Sequence, residues 1–403
     1  MMVCLWLYAS GVGVFASRKI AWACARHLAC MAIVGQERPD FRTISDVRKQ
    51  HLEPFKEVFV QVVRLAGEAG LVTLGTVATD GTNIQGNASR PKARSYGYMK
   101  KAVERLREAI EALVTAAYQQ EEAEDAALGS RRGDELPAEV ARRAQRWATL
   151  EAARQRLEAQ ANAEAAAERQ QRAAADAERQ RTGKPRRGKA LTPVVESPED
   201  KAQSNVTDPE LHIMRPNNKG WESCGKAPVS VEAACQIMVA CDVTNAPNDK
   251  QQAEPMAQAT RAILAPAGIA LPQDAAGQAQ AIPATLEKGY DSEAAAQALE
   301  DFGLTPSRAT GRQKHHAPEA EASDVPATAQ ERMAAKGRTP EGRALYARRQ
   351  VIVEPGFGQS KEARGFRRFL LRGLEKIRGE WRLVCLTHNL LKRWRYGSAH
   401  SAA

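Results

Sequence analysis

Apolar positions along this chain fall into helix-length blocks, two short β-rich runs and one long stretch in which they thin out almost to alanine. MMVCLWLYASGVGVFAS is short for a membrane span, lacks a basic leader and runs directly into SRKIAWACARHL, so it reads as a buried helix. Residues 17–34 and 44–67 are further helix-length runs separated by RPDFRT, where Thr43 and Ser45 are candidate caps after Pro39 and Asp40. Residues 71–78 are β-formers broken by one glycine and predict a buried strand ending at Asp80, with Gly81 and Thr82 forming a turn. A second strand is predicted over 237–243 in CQIMVACDVTNAPNDKQQ.

Between these strands, residues 99–181 are rich in Ala, Glu, Arg and Gln, with one break at GSRRGDELPAE. Asp134 and Pro137 mark a second helix start, giving two long charged helices that form an arm. Large apolar residues do not hold heptad a and d positions in EAQANAEAAAERQQRAAADAERQR, which argues against a tight coiled coil. Residues 182–206 have linker composition.

A length of 403 residues allows two or more domains, and a net charge of +10 with a pI near 9.3 favours a polyanionic partner. Arg18, Lys19, Arg26, Arg42, Arg48 and Lys49 give the N-terminal helices a basic surface, which either lies along DNA or is simply solvated. Seven scattered cysteines without a C-x-x-C pair suggest reduced thiols in a cytoplasmic setting and no structural zinc. Cys235, Cys241 and Cys385 fall in apolar runs and read as small buried hydrophobes.

The most informative stretch is 338–378, RTPEGRALYARRQVIVEPGFGQSKEARGFRRFLLRGLEKIR. Glu354 sits among Tyr346, Arg348 and Arg349 before it and Lys361, Arg364, Arg367, Arg368 and Arg372 after it. Cations grip a phosphate backbone and a carboxylate holds a metal, so the pattern suits phosphodiester chemistry; a solvated basic helix with a stray glutamate is the alternative. Glu354 and Lys361 would share a face of an unbroken helix, but Pro355 predicts a kink beside the carboxylate.

Y-x-x-R followed by VEPGFGQSK and RGFRRFLLRGLEKIRGEW resembles the C-terminal box of DDE transposases of bacterial insertion sequences. The strand followed by DGT, NAS and YGYM resembles their first active-site segment, and TDPELHIM and GRQKHH resemble other family segments. The resemblance implies an α/β fold: an RNase H-like mixed sheet with flanking helices, an N-terminal helical domain and an inserted charged helical arm. The expected divisions are 1–68 for the helical domain, 69–98 for the first catalytic segment, 99–206 for the arm and linker, and 207–396 for the rest of the catalytic domain. It implies metal-dependent DNA strand cleavage and strand transfer, with Asp80, Glu287 and Glu354 holding Mg2+ or Mn2+. Tyr346, Arg349 and Lys361 would contact DNA near the cut, and Arg364, Arg367, Arg368 and Arg372 would hold phosphates. The implied partners are transposon ends and target DNA, with a homo-oligomer in the DNA complex, no membrane, and a bacterial cytoplasmic, nucleoid-associated location. In related chains some tens of residues precede the segment like YASGVGVFASRK, so the start reads as truncated.

Several departures accompany the resemblance. Four residues separate Arg349 from Glu354 where the family pattern has three, which would need a bulge to keep both on one face. Gly356 replaces a β-branched residue, Asn83 a lysine, Gly337 a leucine and Glu232 an aspartate. Glu287 stands in LEKGYDS where aspartate is expected, and its extra methylene moves the carboxylate by about 1.5 Å, with Asp291 as a possible substitute. Asp242 and Asp249 read as structural, and adjacent His315 and His316 are poorly disposed to ligate one metal. A catalytically impaired remnant that binds DNA without cutting is therefore a second reading. A basic helical scaffold with no DNA role is a third, and it would require Asp80, Glu287 and Glu354 to lie far apart.

Overall fold

A computed structural model describes the whole chain except residues 129–137, 184–191, 215–219, 247–251, 274–279, 287–292, 302, 308–327 and 402–403. The chain forms two compact units, Met1–Asn87 with Met214–Ala403, and Ala88–Ile213. The N-terminal helices fall in the same unit as the C-terminal half.

Five helices open the first unit: α1 (Met2–Gly11), α2 (Ser17–Cys24), α3 (Leu28–Val34), α4 (Phe41–Gln50) and α5 (Leu52–Glu68). The two long apolar runs of the sequence are each split, and the cap of α4 is Asp40, whose side chain accepts the Arg42 amide at 2.7 Å, rather than Thr43 or Ser45. Leu5, Trp6, Ile20, Ile44 and Phe55 make a core with Leu383 of the last helix. No described helix is long and apolar enough to cross a membrane.

The sheet strands are β1 (Val77–Gln85), β5 (Glu222–Glu232), β6 (Met238–Cys241), β7 (Ile282–Leu286) and β8 (Leu304–Ser307). In the second unit lie β2 (Ala93–Ser95) and β3 (Gln203–Asn205), while β4 (His212–Met214) spans the division between units. The sheet is mixed, running β5–β1–β7–β8 with β6 also paired to β5. β1 is antiparallel to β5 and parallel to β7, and β7 is parallel to β8.

The first strand is displaced from its expected place. Residues 71–76 are irregular because buried Leu74 takes a left-handed backbone, φ 54°, which no strand tolerates. The strand starts at Val77 and runs through Asp80, Gly81 and Thr82, which continue the ladder as partners of Val229, Pro228 and Ala227. Gly81 serves here as a gap rather than a turn residue: a Cβ would lie 2.8 Å from Lys226 Cε, whose side chain crosses it.

Later in the unit come α8 (Ala253–Leu264), α9 (Glu293–Asp301), α10 (Ala329–Arg338), α11 (Pro340–Gly358) and α12 (Leu374–Ser401). Thr339 caps α11 by accepting the Gly342 amide at 3.0 Å, with Pro340 opening the helix. Pro355 does not break the helix: α11 runs through it and ends in a π-helical turn, Gln359–Ala363. Proline removes the bond that residue 355 would give to the carbonyl of Val351, and Gln236 Nε2 donates to that carbonyl instead at 3.0 Å. Gln236 sits in the β5–β6 turn with φ 59°, where Lys392 Nζ donates to its Oε1 at 2.7 Å and His388 Nε2 lies 3.0 Å from its carbonyl. Asn389 then bonds both the amide and the carbonyl of Met238, at 2.9 and 2.8 Å, joining α12 to β6.

The second unit is Ala88–Ile213. It is built on α6 (Tyr96–Leu128) and α7 (Ala138–Thr182), which meet through Met99, Ala102, Leu150 and Ala153. The helices are laced by pairs such as Arg154 with Glu151 and Glu158, and Tyr96 donates to Glu158 at 2.7 Å. Its contacts between apolar side chains are few and small, as the alanine-rich pattern implies.

Candidate nucleic-acid interface

The middle of β1 carries the site. Asp80 Oδ2 accepts Arg349 Nη1 of α11 at 2.6 Å, and Asp80 Oδ1 accepts the Gly81 amide at 2.7 Å. Both side chains of the ion pair are largely enclosed, at 11% and 14% exposure for Arg349 and Asp80. The Arg349 guanidinium also lies 5.5 Å from the Tyr346 ring centroid, a cation–π contact one turn back on the helix. Two residues along β1, and so on the same face as Asp80, Thr82 Oγ1 accepts Lys361 Nζ, which also donates to the Asn83 carbonyl at 2.9 Å.

Glu354 lies off the buried face of α11 that carries Arg349. Gly342, Arg349, Ile352, Val353 and Gly356 form the buried stripe of α11, which packs on β1, β5, β7 and β8. Five residues of regular helix turn Glu354 about 140° away from Arg349, and it is exposed. The family spacing would have placed the acid at 353, where a fully buried valine stands. The helix does widen, but over 359–363, after Glu354, so the wide turn does not restore the register between Arg349 and Glu354. Glu287, Asp291, Asp249, His315 and His316 lie outside the described residues; β7 ends at Leu286, the residue before Glu287, with Leu286 beside Thr79.

Among the described residues no group of three or more His, Cys, Asp and Glu side chains is placed to hold a metal ion. The described site does not fit a divalent metal: its carboxylate already holds a guanidinium, and a second cation follows on the same face of the strand. Asp242 is structural, pairing with Arg378 at 2.9 Å and accepting the Val243 amide at 2.8 Å. Glu232 is fully buried and accepts Thr73 Oγ1 at 3.0 Å and the amides of Ala234 and Cys235 at 3.0 and 3.2 Å, which closes the β5–β6 turn.

The basic run beyond the wide turn is sorted by burial. Arg364 must be reassigned from a phosphate contact to the core: it is buried and donates to the carbonyls of Ser10 and Val384 and to Thr387 Oγ1, at 3.2, 3.0 and 2.6 Å. Burial pushes its pKa down to about 10. The Arg364 carbonyl faces Gly13 so closely that a Cβ there would lie 2.7 Å from the oxygen, and Gly13 has φ 83°. Phe366 and Phe369 are buried with Trp381, while Arg367, Arg368 and Arg372 point outward. Arg367 pairs with Glu362, Arg368 donates to Asn87 Oδ1 at 3.2 Å, and Arg372 Nε donates to the Asn87 carbonyl at 2.8 Å. The segment is fastened to the end of β1 by an isolated bridge between Gln85 and Arg368. The Phe369 amide bonds the Gln85 carbonyl, and Asn87 Nδ2 bonds the Leu370 carbonyl, both at 2.8 Å.

Two further arginines, one that sequence reasoning placed on a basic surface and one it passed over, are paired with carboxylates of the same unit. Arg48 pairs with fully buried Glu380 at 3.2 Å, and Arg378 is spent on Asp242. The pairing of Arg349 with Asp80 joins two segments far apart in sequence, and neither local pattern signals it.

Residues 296–394 match the family described as Transposase DDE domain. The match covers α10, α11 and most of α12, including Arg349, Glu354 and the basic run, but not β1. No curated protein and no solved structure matches the chain.

Proposed function

We propose that this chain is a DNA-binding protein of the DDE transposase class that holds the ends of a bacterial insertion sequence, with an RNase H-like sheet as its scaffold. One observation carries the reading: the segment matched to the transposase domain is bolted along β1, the strand that bears Asp80, through Arg349, Lys361 and Phe369. This joins the two stretches that resemble the family's first and last active-site segments, and the mixed sheet with flanking helices supports the fold assignment. Arg367, Arg368 and Arg372 are the outward cations that would grip phosphates, as charge-assisted and salt-sensitive contacts.

Metal-dependent cleavage and strand transfer are the chemistry of the class, in which Asp80, Glu287 and Glu354 would be the carboxylates. The second reading, a descendant that occupies DNA ends without cutting, is favoured by the Asp80–Arg349 pair. Nicking of a supercoiled plasmid in Mg2+ separates the two. The expected result is duplex binding with no nicking above that of Asp80→Asn protein. Strong nicking that Asp80→Asn abolishes would establish the cutting reading.

A further inference from the structure

We infer that Arg349 is a tethered cation that closes Asp80 to divalent metal. The inference rests on the transposase reading only in asking about a metal at Asp80. Three features of the site support it. The Arg349–Asp80 pair is short and largely enclosed, and the second carboxylate oxygen is engaged by a backbone amide, so an incoming ion must displace a hydrogen-bonded guanidinium. The guanidinium is held from behind. α11 seats its buried stripe on the sheet, the Tyr346 ring lies beside Arg349, and Arg349 Nε is enclosed without a hydrogen-bond partner. Finally, the buried stripe of α11 that carries Arg349 holds no carboxylate. A second carboxylate from that stripe would add the charge that a divalent ion prefers, but position 353 is a buried valine and Glu354 is exposed, outside the stripe.

A guanidinium offers one positive charge and directional N–H donors, while a divalent ion needs several oxygen ligands at once. With one carboxylate from β1 and none from the facing stripe of α11, the guanidinium is the better match. Arg349 is therefore a positioning residue that fixes the state of Asp80.

The test is Mn2+ binding to the full chain without DNA, followed by the electron paramagnetic resonance signal of free Mn2+, so its outcome does not depend on cleavage or on DNA binding. The parent and Asp80→Asn proteins should bind Mn2+ alike, because Asp80 is closed in the parent and absent from the variant. Arg349→Met should bind about 10–100-fold more tightly than the parent, the range typical when the surroundings of a metal ligand change. That gain should vanish in the Arg349→Met, Asp80→Asn double variant. The inference is overturned if Asp80→Asn removes saturable Mn2+ binding from the parent, a comparison that needs no Arg349 variant to fold. It is equally overturned if folded Arg349→Met protein binds no more tightly than the parent. Failure of the transposase reading would appear instead as absence of DNA binding with these Mn2+ results intact.

Discussion

Replacing Arg48 by methionine should cost the first unit more than any exposed arginine change, because Arg48 neutralises a carboxylate enclosed in the core. The Arg48 and Glu380 side chains are 6% and 2% exposed, with Nη1 and Oε1 3.2 Å apart. Glu380 also accepts the amides of Leu370 and Leu371, at 3.0 and 3.1 Å, and Arg48 donates to the Phe15 carbonyl and lies 4.7 Å from the Trp6 ring centroid. Methionine keeps much of the stem but leaves the carboxylate buried with two amides and no countercharge, which costs about 3–5 kcal/mol. At roughly 2 °C per kcal/mol for a unit of this size, the melting temperature at pH 7 should fall by about 6–10 °C. Burial already raises the Glu380 pKa above its ordinary 4.5, while Arg48 and the amides of Leu371 and Leu370 oppose the shift. A folded pKa above the unfolded one gives stability that is full below the ordinary value and is lost as pH rises through the folded value. Losing Arg48 raises the folded value further, so the deficit should shrink when unfolding is measured at pH 4. A deficit under about 1 kcal/mol at pH 7, or one equal at pH 4 and 7, would refute the argument that this pair joins the N-terminal helices to α12.

Two further outcomes follow from α12. Burial depresses the His388 pKa to about 4, so its contribution is present above pH 6.5 and lost as pH falls toward 4. His388→Gln should flatten that acid limb by up to about 3 kcal/mol, read from urea midpoints across this pH range. Asn389→Ala strips partners from both the amide and the carbonyl of Met238 and should cost about 2–4 kcal/mol in urea unfolding at pH 7.

Much of this architecture was legible in the sequence, because apolar periodicity and helix starts are local. The buried first helix, the two long helices of the arm and the strand before Asp242 all follow from such patterns. What escaped depended on distant partners. Pro355 sits inside a continuous helix because Gln236 satisfies the Val351 carbonyl, and Asp-Gly stays in a strand because Lys226 crosses Gly81. Cysteine burial was only partly legible: Cys385 is fully buried, while Cys235 and Cys241 are partly exposed. Charge showed the same limit. Arg48 and Arg364 count toward the basic balance but are buried on internal acceptors, so the chain exposes fewer cations than its composition suggests. The one extra residue between Arg349 and Glu354 is visible in the sequence, but that it leaves Glu354 off the buried stripe of α11 is read only from the structure.

The most direct test of the DNA-binding claim is the salt dependence of binding to a labelled duplex by the parent chain and by a protein carrying both Arg367→Ala and Arg368→Ala. Each phosphate neutralised contributes about −0.9 to the slope of log affinity against log salt, so the double replacement should flatten the slope by about 2 units. It should weaken binding to unrelated sequences alike, since phosphate contacts carry no base information. An unchanged slope, or a parent chain that binds no duplex at low salt, would contradict the account.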